Sequence, residues 1–158
     1  MKNQLFPPAM TTTIAPLRPE DRAAWELLAR GYKAFYKTEV SPAGYETTWQ
    51  RLLANDGVFG LGAHVDGRLV GIAHYLFHTS TWSPRLCYLQ DLFTAPELRG
   101  RGVARALILA VGEAARAAQS TRCYWLTHES NTTARTLYDK VAQFHGFIRY
   151  DLPLQENA

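Results

Sequence analysis

Apolar positions recur along this chain with two periods, and each change of period marks a change of element. Residues 13–18 form a short apolar-polar run that reads as a first strand. Pro19-Glu20-Asp21 then opens a helix, because proline suits the first helical turn and acids suit its positive end. Trp25, Leu27, Leu28, Tyr32 and Phe35 follow at helical spacing, and the helix fades near Tyr36. A second helix covers residues 42–54, with Tyr45, Trp49 and Leu52 or Leu53 on one face. Residues 58–65 and 68–77 are apolar runs around Asp66-Gly67, a strong two-residue turn signal, and so predict a hairpin. Residues 78–84 read as a loop, and 87–94 as a strand rich in strand formers such as Tyr88, Leu92 and Phe93. Ala95-Pro96-Glu97-Leu98 breaks that strand. A third helix spans 102–118, with Val103, Leu107, Ala110, Val111 and Ala114 as its core stripe. Residues 122–127 predict a strand, 131–144 a helix and 147–152 a final strand. The order β-α-α-β-β-β-α-β-α-β predicts a mixed α/β sheet flanked by helices.

Composition narrows this picture without changing it. At 158 residues, 47% apolar and 20% charged, the chain has the size and makeup of one globular domain with a real core. The expected organisation is a flexible arm over 1–12, one domain over 13–153 and a short tail over 154–158. The arm has no apolar stretch of signal-peptide type, and no run of 18 apolar residues argues for a membrane span. Cys87 and Cys123 lack metal-like spacing and read as two free thiols in strands, which fits a cytoplasmic compartment. The five histidines form no HxxxH or HExxH pattern, so no metal site is expected. A net charge of +3 is mild, and no nucleic-acid partner is expected from it.

The chemistry concentrates in the segment from Leu92 to Ala104, where a strand, a short turn and a glycine-rich loop open a long helix. The first amides of a helix lack intrahelical partners, and the helix dipole adds partial positive charge there. Gly100 and Gly102 let the backbone approach an anion closely. Such a turn cradles a phosphate or pyrophosphate, and Arg99, Arg101 and Arg105 add charge to it. The loop is neither GxxxxGK[ST] nor a GxGxxG near the start of a βαβ unit, which disfavours a P-loop or a Rossmann site. The blander alternative is a turn that merely caps a helix.

Arg99-x-x-Gly102-x-Ala104 resembles the Arg/Gln-x-x-Gly-x-Gly/Ala signature of the GNAT acetyltransferase superfamily. Thirty residues on, the segment from Tyr124 to Tyr138, with Asn131-x-x-Ala134-x-x-Leu137-Tyr138, is similar to that superfamily's second signature. The wording around Trp125, with Phe35-Tyr36 early in the chain, resembles a branch with polyamine-, histone- and small-amine-acetylating members. The resemblance covers roughly residues 13–152. It implies a single domain with a mostly antiparallel sheet of about six or seven strands and about four helices. It also implies acetyl-CoA as co-substrate, an amine acceptor and a homodimer. The backbone from Arg99 through Gly100, Arg101, Gly102 and Val103 to Ala104 would bind the CoA pyrophosphate. Leu92, Phe93 and Thr94 would line the pantetheine arm, with Asn131 beside it, and Tyr138 would protonate the leaving thiolate. Asn131 and Tyr138 are seven apart, two helical turns, so they share a face with Ala134. On spacing alone, Tyr138 also reads as a tyrosine packed on the core.

Acetyl transfer needs a neutral amine, and a lysine-like amine has a pKa of about 10.4, so about one molecule in a thousand is neutral at pH 7. A carboxylate or ordered water must accept the proton, and a backbone amide near Leu92 would stabilise the oxyanion. Polyamine-type relatives carry Leu-Glu-Asp-Phe on the equivalent strand, whereas this chain has Leu89-Gln90-Asp91-Leu92. The carboxylate is therefore absent at Gln90 and present at Asp91. Neighbours in a strand point to opposite faces, so Asp91 does not simply replace the lost group. Asp91, Glu129 and a water relay remain open as the base. The acceptor pocket is expected to draw on Phe35, Tyr36, His74, Tyr75, Gln90 and the loop from His78 to Trp82, with aromatic rings placed to surround a cation. Two competing readings are a non-catalytic acyl-CoA sensor and a nucleic-acid binder using the arginines with Trp82 and Trp125.

Overall fold

Backbone pairing turns the alternating runs into one sheet in the order β1-β2-β3-β4-β5. The computed structural model describes residues 11–154, which divide into two compact units, 11–126 and 127–154. Of the expected arm, only Thr11 and Thr12 are described, and Thr12 already belongs to β1. Of the expected tail, only Leu154 is described.

The first unit holds β1 (Thr12–Pro16), a 3-10 turn (Pro19–Asp21), α1 (Arg22–Phe35), α2 (Pro42–Ala54), β2 (Phe59–Val65), β3 (Arg68–Ser80) and β4 (Ser83–Thr94). A second 3-10 turn (Pro96–Leu98), α3 (Val103–Ala117) and β5 (Cys123–Tyr124) complete it. Strands β1 to β4 pair antiparallel in sequence order, and β5 joins β4 in parallel. The sheet is therefore mixed and mostly antiparallel. It has five strands among the described residues rather than the six or seven implied by the resemblance.

Local chemistry explains where the elements begin and end. Asp66 and Gly67 both have positive φ, 50° and 78°, as a two-residue turn matched to strand twist demands. Helix α2 starts where Ser41 Oγ accepts from the Gly44 amide, and it ends at Asn55 in the left-handed region. The expected loop over 78–84 shrinks to the turn between Ser80 and Ser83, because Ser80 Oγ accepts from the Ser83 amide and lets both strands run to the turn.

The core lies between the sheet and the helices. From α1 it takes Trp25, only 1% exposed, with Leu28 and Ala29. Leu27 and Phe35, expected on the same stripe, are 73% and 54% exposed. Helix α3 buries Val103, Leu107, Ile108, Val111 and Ala115, so its stripe is rotated slightly from the expected one. Gly71 on β3 lies beneath α3, where an added Cβ would stand 2.9 Å from Val103 Cγ1 and 3.1 Å from Leu107 Cδ1. The missing side chain is what allows the helix to settle on the strand.

The second unit carries α4 (Thr132–Val141). It stops three residues short of the expected end, with Ala142 already extended. The final strand expected over 147–152 does not form: residues 143–154 have no regular element. Phe147, Ile148, Tyr150 and Leu152 have strand composition, but a strand exists only through a partner ladder, which composition does not supply. Among the described residues, no helix is long and apolar enough to cross a membrane.

Gly71→Val should force Val103 and Leu107 apart and cost about 1–3 kcal/mol of stability, as overpacking a close-packed core does. Chemical denaturation of the two proteins, compared by midpoint at equal slope, checks this.

Candidate active site

The site grows from an irregularity in β4. Its ladder with β5 consists of two pairs, Cys87↔Cys123 and Tyr88↔Tyr124, after which β4 continues to Thr94 paired to β3 alone. Leu92, Phe93 and Thr94 thus carry backbone groups on one edge that no strand of the sheet occupies. The β3 ladder slips at the same place, from Tyr75↔Leu89 to His74↔Asp91, which leaves Gln90 as the extra residue of a β-bulge. Strict alternation would separate Gln90 from Asp91 by a whole sheet. The bulge breaks the alternation, and both residues line the same cavity.

Beyond Thr94 the chain enters the glycine-rich turn. Arg99 is extended, Gly100 has φ 73°, and Gly102 has φ 82° at the N-cap of α3. A Cβ built at either glycine meets nothing within 4 Å, so backbone conformation rather than crowding demands glycine, and the space in front of the turn is clear. No side chain caps α3 at this end, and the first amides of the helix have no intrahelical partners. Arg99, Arg101 and Arg105 are exposed around the turn. The Arg99 guanidinium lies 5.5 Å from the Phe93 ring centre, and its Nε donates a long 3.4 Å hydrogen bond to the Thr94 carbonyl. The Val103 side chain is in the core, so that residue offers the turn only its amide. Thr94 Oγ1, at the foot of the turn, is buried without a hydrogen-bond partner, a polar atom whose desolvation is uncompensated. Open glycines, free helix amides and an unpaired hydroxyl at the end of an unshared edge fit a phosphate-bearing ligand with an amide-containing arm, which describes CoA.

The cavity beside the bulge has a volume of about 210 Å³ and is lined from α1, α2, β3 and β4. Its deep wall is a three-residue relay. Trp25 Nε1 donates to His74 Nε2 at 2.9 Å, so the imidazole proton sits on Nδ1, which donates to Asp91 Oδ2 at 2.9 Å. Both ring nitrogens are therefore engaged, and His74 orients Asp91 rather than facing the cavity with a free lone pair. Burial alone would push the Asp91 carboxyl up. Hydrogen bonds from His74 and Tyr32, with the nearby Lys33 charge, outweigh it and hold the group below its ordinary range. Burial and the neighbouring Asp91 charge push the Tyr32 phenol up, so Tyr32 stays a donor.

The other expected acceptor residues lie elsewhere. Tyr75 stacks on Phe59, with ring centres 5.4 Å apart, and meets Phe77 edge-on. Phe35 and Tyr36 pack against each other at the end of α1, where Tyr36 also meets Tyr32, and neither lines the cavity. In the loop region, His78 Nε2 is 2.9 Å from Tyr124 Oη, and Trp82 is exposed at the turn. The cavity is also lined by Tyr32, Lys33, Tyr45 and Arg51. Tyr32 was visible as one member of the α1 stripe. Lys33 and Arg51 carry no sequence signal, since lysines and arginines on helices ordinarily face solvent.

In the second unit, Asn131 is the N-cap of α4, and its Nδ2 donates to Thr127 Oγ1 at 3.0 Å. Tyr138 is half-buried on the same helix, two turns on. Glu129 is exposed, and its carbonyl accepts from Arg135 at 2.8 Å.

Comparison with known proteins identifies the family. The model of the acetyltransferase (GNAT) family matches residues 22–144. The chain is similar to the D-amino-acid N-acetyltransferase HPA3 of Saccharomyces cerevisiae, 32% identical over 134 residues, with 82% of this chain and 83% of the relative covered. A thialysine N-epsilon-acetyltransferase of Caenorhabditis elegans is 28% identical over 107 residues, covering 68% of this chain and 67% of that one. Among solved structures, the aminoglycoside N-acetyltransferase AAC(6')-Iy in complex with CoA shares the fold, with a TM-score of 0.76 at 20% identity over 98% of this chain and 99% of that one. With its glycine turn, its bulged strand and its helix signature all inside the matched span, this chain belongs to the GNAT family and is an N-acetyltransferase.

Proposed function

We propose that this enzyme transfers the acetyl group of acetyl-CoA to a primary amine by direct attack in a ternary complex. The observation that carries the reading is that one strand serves three needs. The unshared edge of β4 at Leu92–Thr94 suits the amide-bearing arm, the glycine turn after it suits the pyrophosphate, and the bulge before it presents Asp91 to a cavity. Both substrates then meet along one rigid element, and positioning supplies much of the rate.

Bound acetyl-CoA supplies the activated acyl group. The amides from Gly100 to Ala104, with Arg99, Arg101 and Arg105, hold its phosphates. Leu92, Phe93 and Thr94 take its arm through backbone groups, and Asn131 is assigned to that arm by its place in the family's helix signature. A β4 amide near the bulge donates to the acyl oxygen as negative charge develops there. Asp91 attracts the incoming amine as its ammonium and receives the proton it sheds, through ordered water. His74 and Tyr32 fix the carboxylate for that role. Tyr138 returns a proton to the leaving thiolate, and retention of both Asn131 and Tyr138 favours turnover over a sensor that only binds.

A depressed carboxyl is fully ionised above its ordinary value of 3.8, so Asp91 contributes no titration near neutrality and loses its charge only in acid. The rise of kcat/KM between pH 6 and pH 9 should therefore follow the amine alone, about tenfold per pH unit. Asp91→Asn should lower the whole profile by about tenfold or more without changing its slope, as loss of a positioned acid–base group does. A wild-type break in this range that disappears in Asp91→Asn would count against the assignment.

Thiol release from acetyl-CoA with an amine panel tests the reaction. Tyr138→Phe should reduce amine-dependent release by about tenfold or more. Unchanged release in that variant would remove Tyr138 from the chemistry and leave the enzyme class standing.

A further inference from the structure

The two cysteines of the chain take no part in the site described above, yet the fold sets them side by side. Cys87 on β4 and Cys123 on β5 are direct partners in the parallel ladder, and the Cys87 amide donates to the Arg122 carbonyl at 2.9 Å. Direct partners in such a ladder project from the same face of the sheet, with their strands about 4.8 Å apart. That spacing lies within the Cα separations a disulfide spans, about 4.4–6.8 Å. The Cys87 thiol donates a hydrogen bond to the Cys123 sulfur, so the two side chains already meet. Among the described residues, no group of three or more His, Cys, Asp or Glu could hold a metal, which leaves the two thiols to each other.

Their surroundings differ, and the difference assigns roles. Cys87 is fully buried between β3 and β5, opposite Phe77 on one side and Cys123 on the other. Cys123 is half-buried. The hydrogen bond to Cys123, with burial, pushes the Cys87 thiol up, and the same bond lowers Cys123. The thiolate is the nucleophile, so Cys123 is the reactive member and Cys87 waits beside it as a thiol. The pair also stands where the ladder ends. Beyond Cys87↔Cys123 and Tyr88↔Tyr124, β4 runs on to Leu92–Thr94 without β5. The Tyr88 and Tyr124 rings stack at this vertex with centres 5.1 Å apart. We propose that Cys87 and Cys123 are a peroxide-sensitive redox pair whose reversible disulfide, at the root of the unshared edge of β4, slows acetyl transfer.

A peroxide is the oxidant. The Cys123 thiolate attacks one peroxide oxygen, the O–O bond breaks, and Cys123 becomes a sulfenic acid with release of hydroxide. The Cys87 sulfur then attacks the Cys123 sulfur, the S–O bond breaks, and the hydroxyl leaves as water with the Cys87 proton. Each sulfur is oxidised by one electron, and the hydroxide takes up the proton that Cys123 gave up, so the peroxide ends as two waters. A dithiol reverses the bridge by exchange. Bridging draws the sulfurs from hydrogen-bond contact to a bond of about 2.0 Å, and the strands move with them at the vertex. The effect on rate rests on the transferase reading, which sets the acyl arm on β4 just beyond, whereas the bridge itself does not.

The full chain is treated with hydrogen peroxide, quenched with catalase and read by thiol count, by peptide mapping without reduction and by acetyl transfer to the amine panel. Both thiols should be lost to a Cys87–Cys123 linkage within one chain. The kcat/KM for acetyl-CoA should fall about tenfold, within the range that a small misplacement of reacting groups produces. Dithiothreitol should restore thiols and rate together. Cys123→Ser should keep the reduced rate within about twofold and ignore peroxide. Cys87→Ala, which removes the resolving thiol, should let Cys123 run on to sulfinic acid. Two unreacted thiols in the wild type, oxygen added at Cys123 with Cys87 left free, or a linkage between two copies would overturn the pair. A bridge that leaves the rate unchanged, or inhibition that persists in Cys123→Ser, would overturn its control of the enzyme. A reduced protein that acetylates no amine would overturn the transferase reading and the effect on rate, while thiol count and mapping would still decide the bridge.

Discussion

Strand β4 must complete the sheet and yet leave part of its own backbone unshared. It meets β3 along nearly its whole length but β5 only at Cys87 and Tyr88. Unpaired strand edges are a liability in most folds because they invite foreign strands. Here the unshared edge is short, is bounded at one end by the bulge at Gln90 and runs at the other into a glycine turn, so a ligand with amide groups and phosphates is its natural complement. The rest of the site depends on this: the cavity, the relay and the cradle are each attached to β4 or its immediate continuation.

The relay behind Asp91 shows how a buried carboxylate is kept charged. Trp25 is the most buried large side chain of α1, yet its indole N–H has to be satisfied, and it finds His74. That hydrogen bond assigns the imidazole proton to the other nitrogen and so to Asp91. A packing residue of α1 therefore sets the charge and direction of a residue on β4. The same device recurs away from the site, where Asp21 accepts from the Arg18 amide and sits 2.9 Å from His64 Nε2, tying the entry of α1 to β2. In both places a buried acid is stabilised by hydrogen bonds that also fix the position of a helix on the sheet.

The helix faces divide labour in a related way. On α1, Glu26 pairs with Arg22 and Arg30, while Lys33, one turn later, lines the cavity and its charge acts on Asp91. On α2, Tyr45, Trp49 and Leu52 are buried, while Arg51, exposed near the C-terminal end of the helix, lines the cavity.

Much of this was readable in the chain itself. Periodicity located the four α-helices and the five strands of the described residues, because helix and strand spacings and punctuating residues such as Asp66-Gly67 and Pro96 act over a few positions. The glycine turn and the Asn131–Tyr138 helix were legible because close approach to a phosphate restricts residue type at fixed spacing. The relay, the bulge and the cavity wall were not. Trp25 and His74 are 49 positions apart, and their meeting depends on how α1 docks on the sheet. The pairing slip that turns Gln90 and Asp91 to one side is a property of the ladder with β3, invisible in either strand alone. The apolar run at 147–152 failed for the complementary reason: its residues favour a strand, but only tertiary structure decides whether a strand has an edge to join. Local chemistry determined the elements and the glycine-rich turn, and long-range packing decided which side chains line the cavity beside β4.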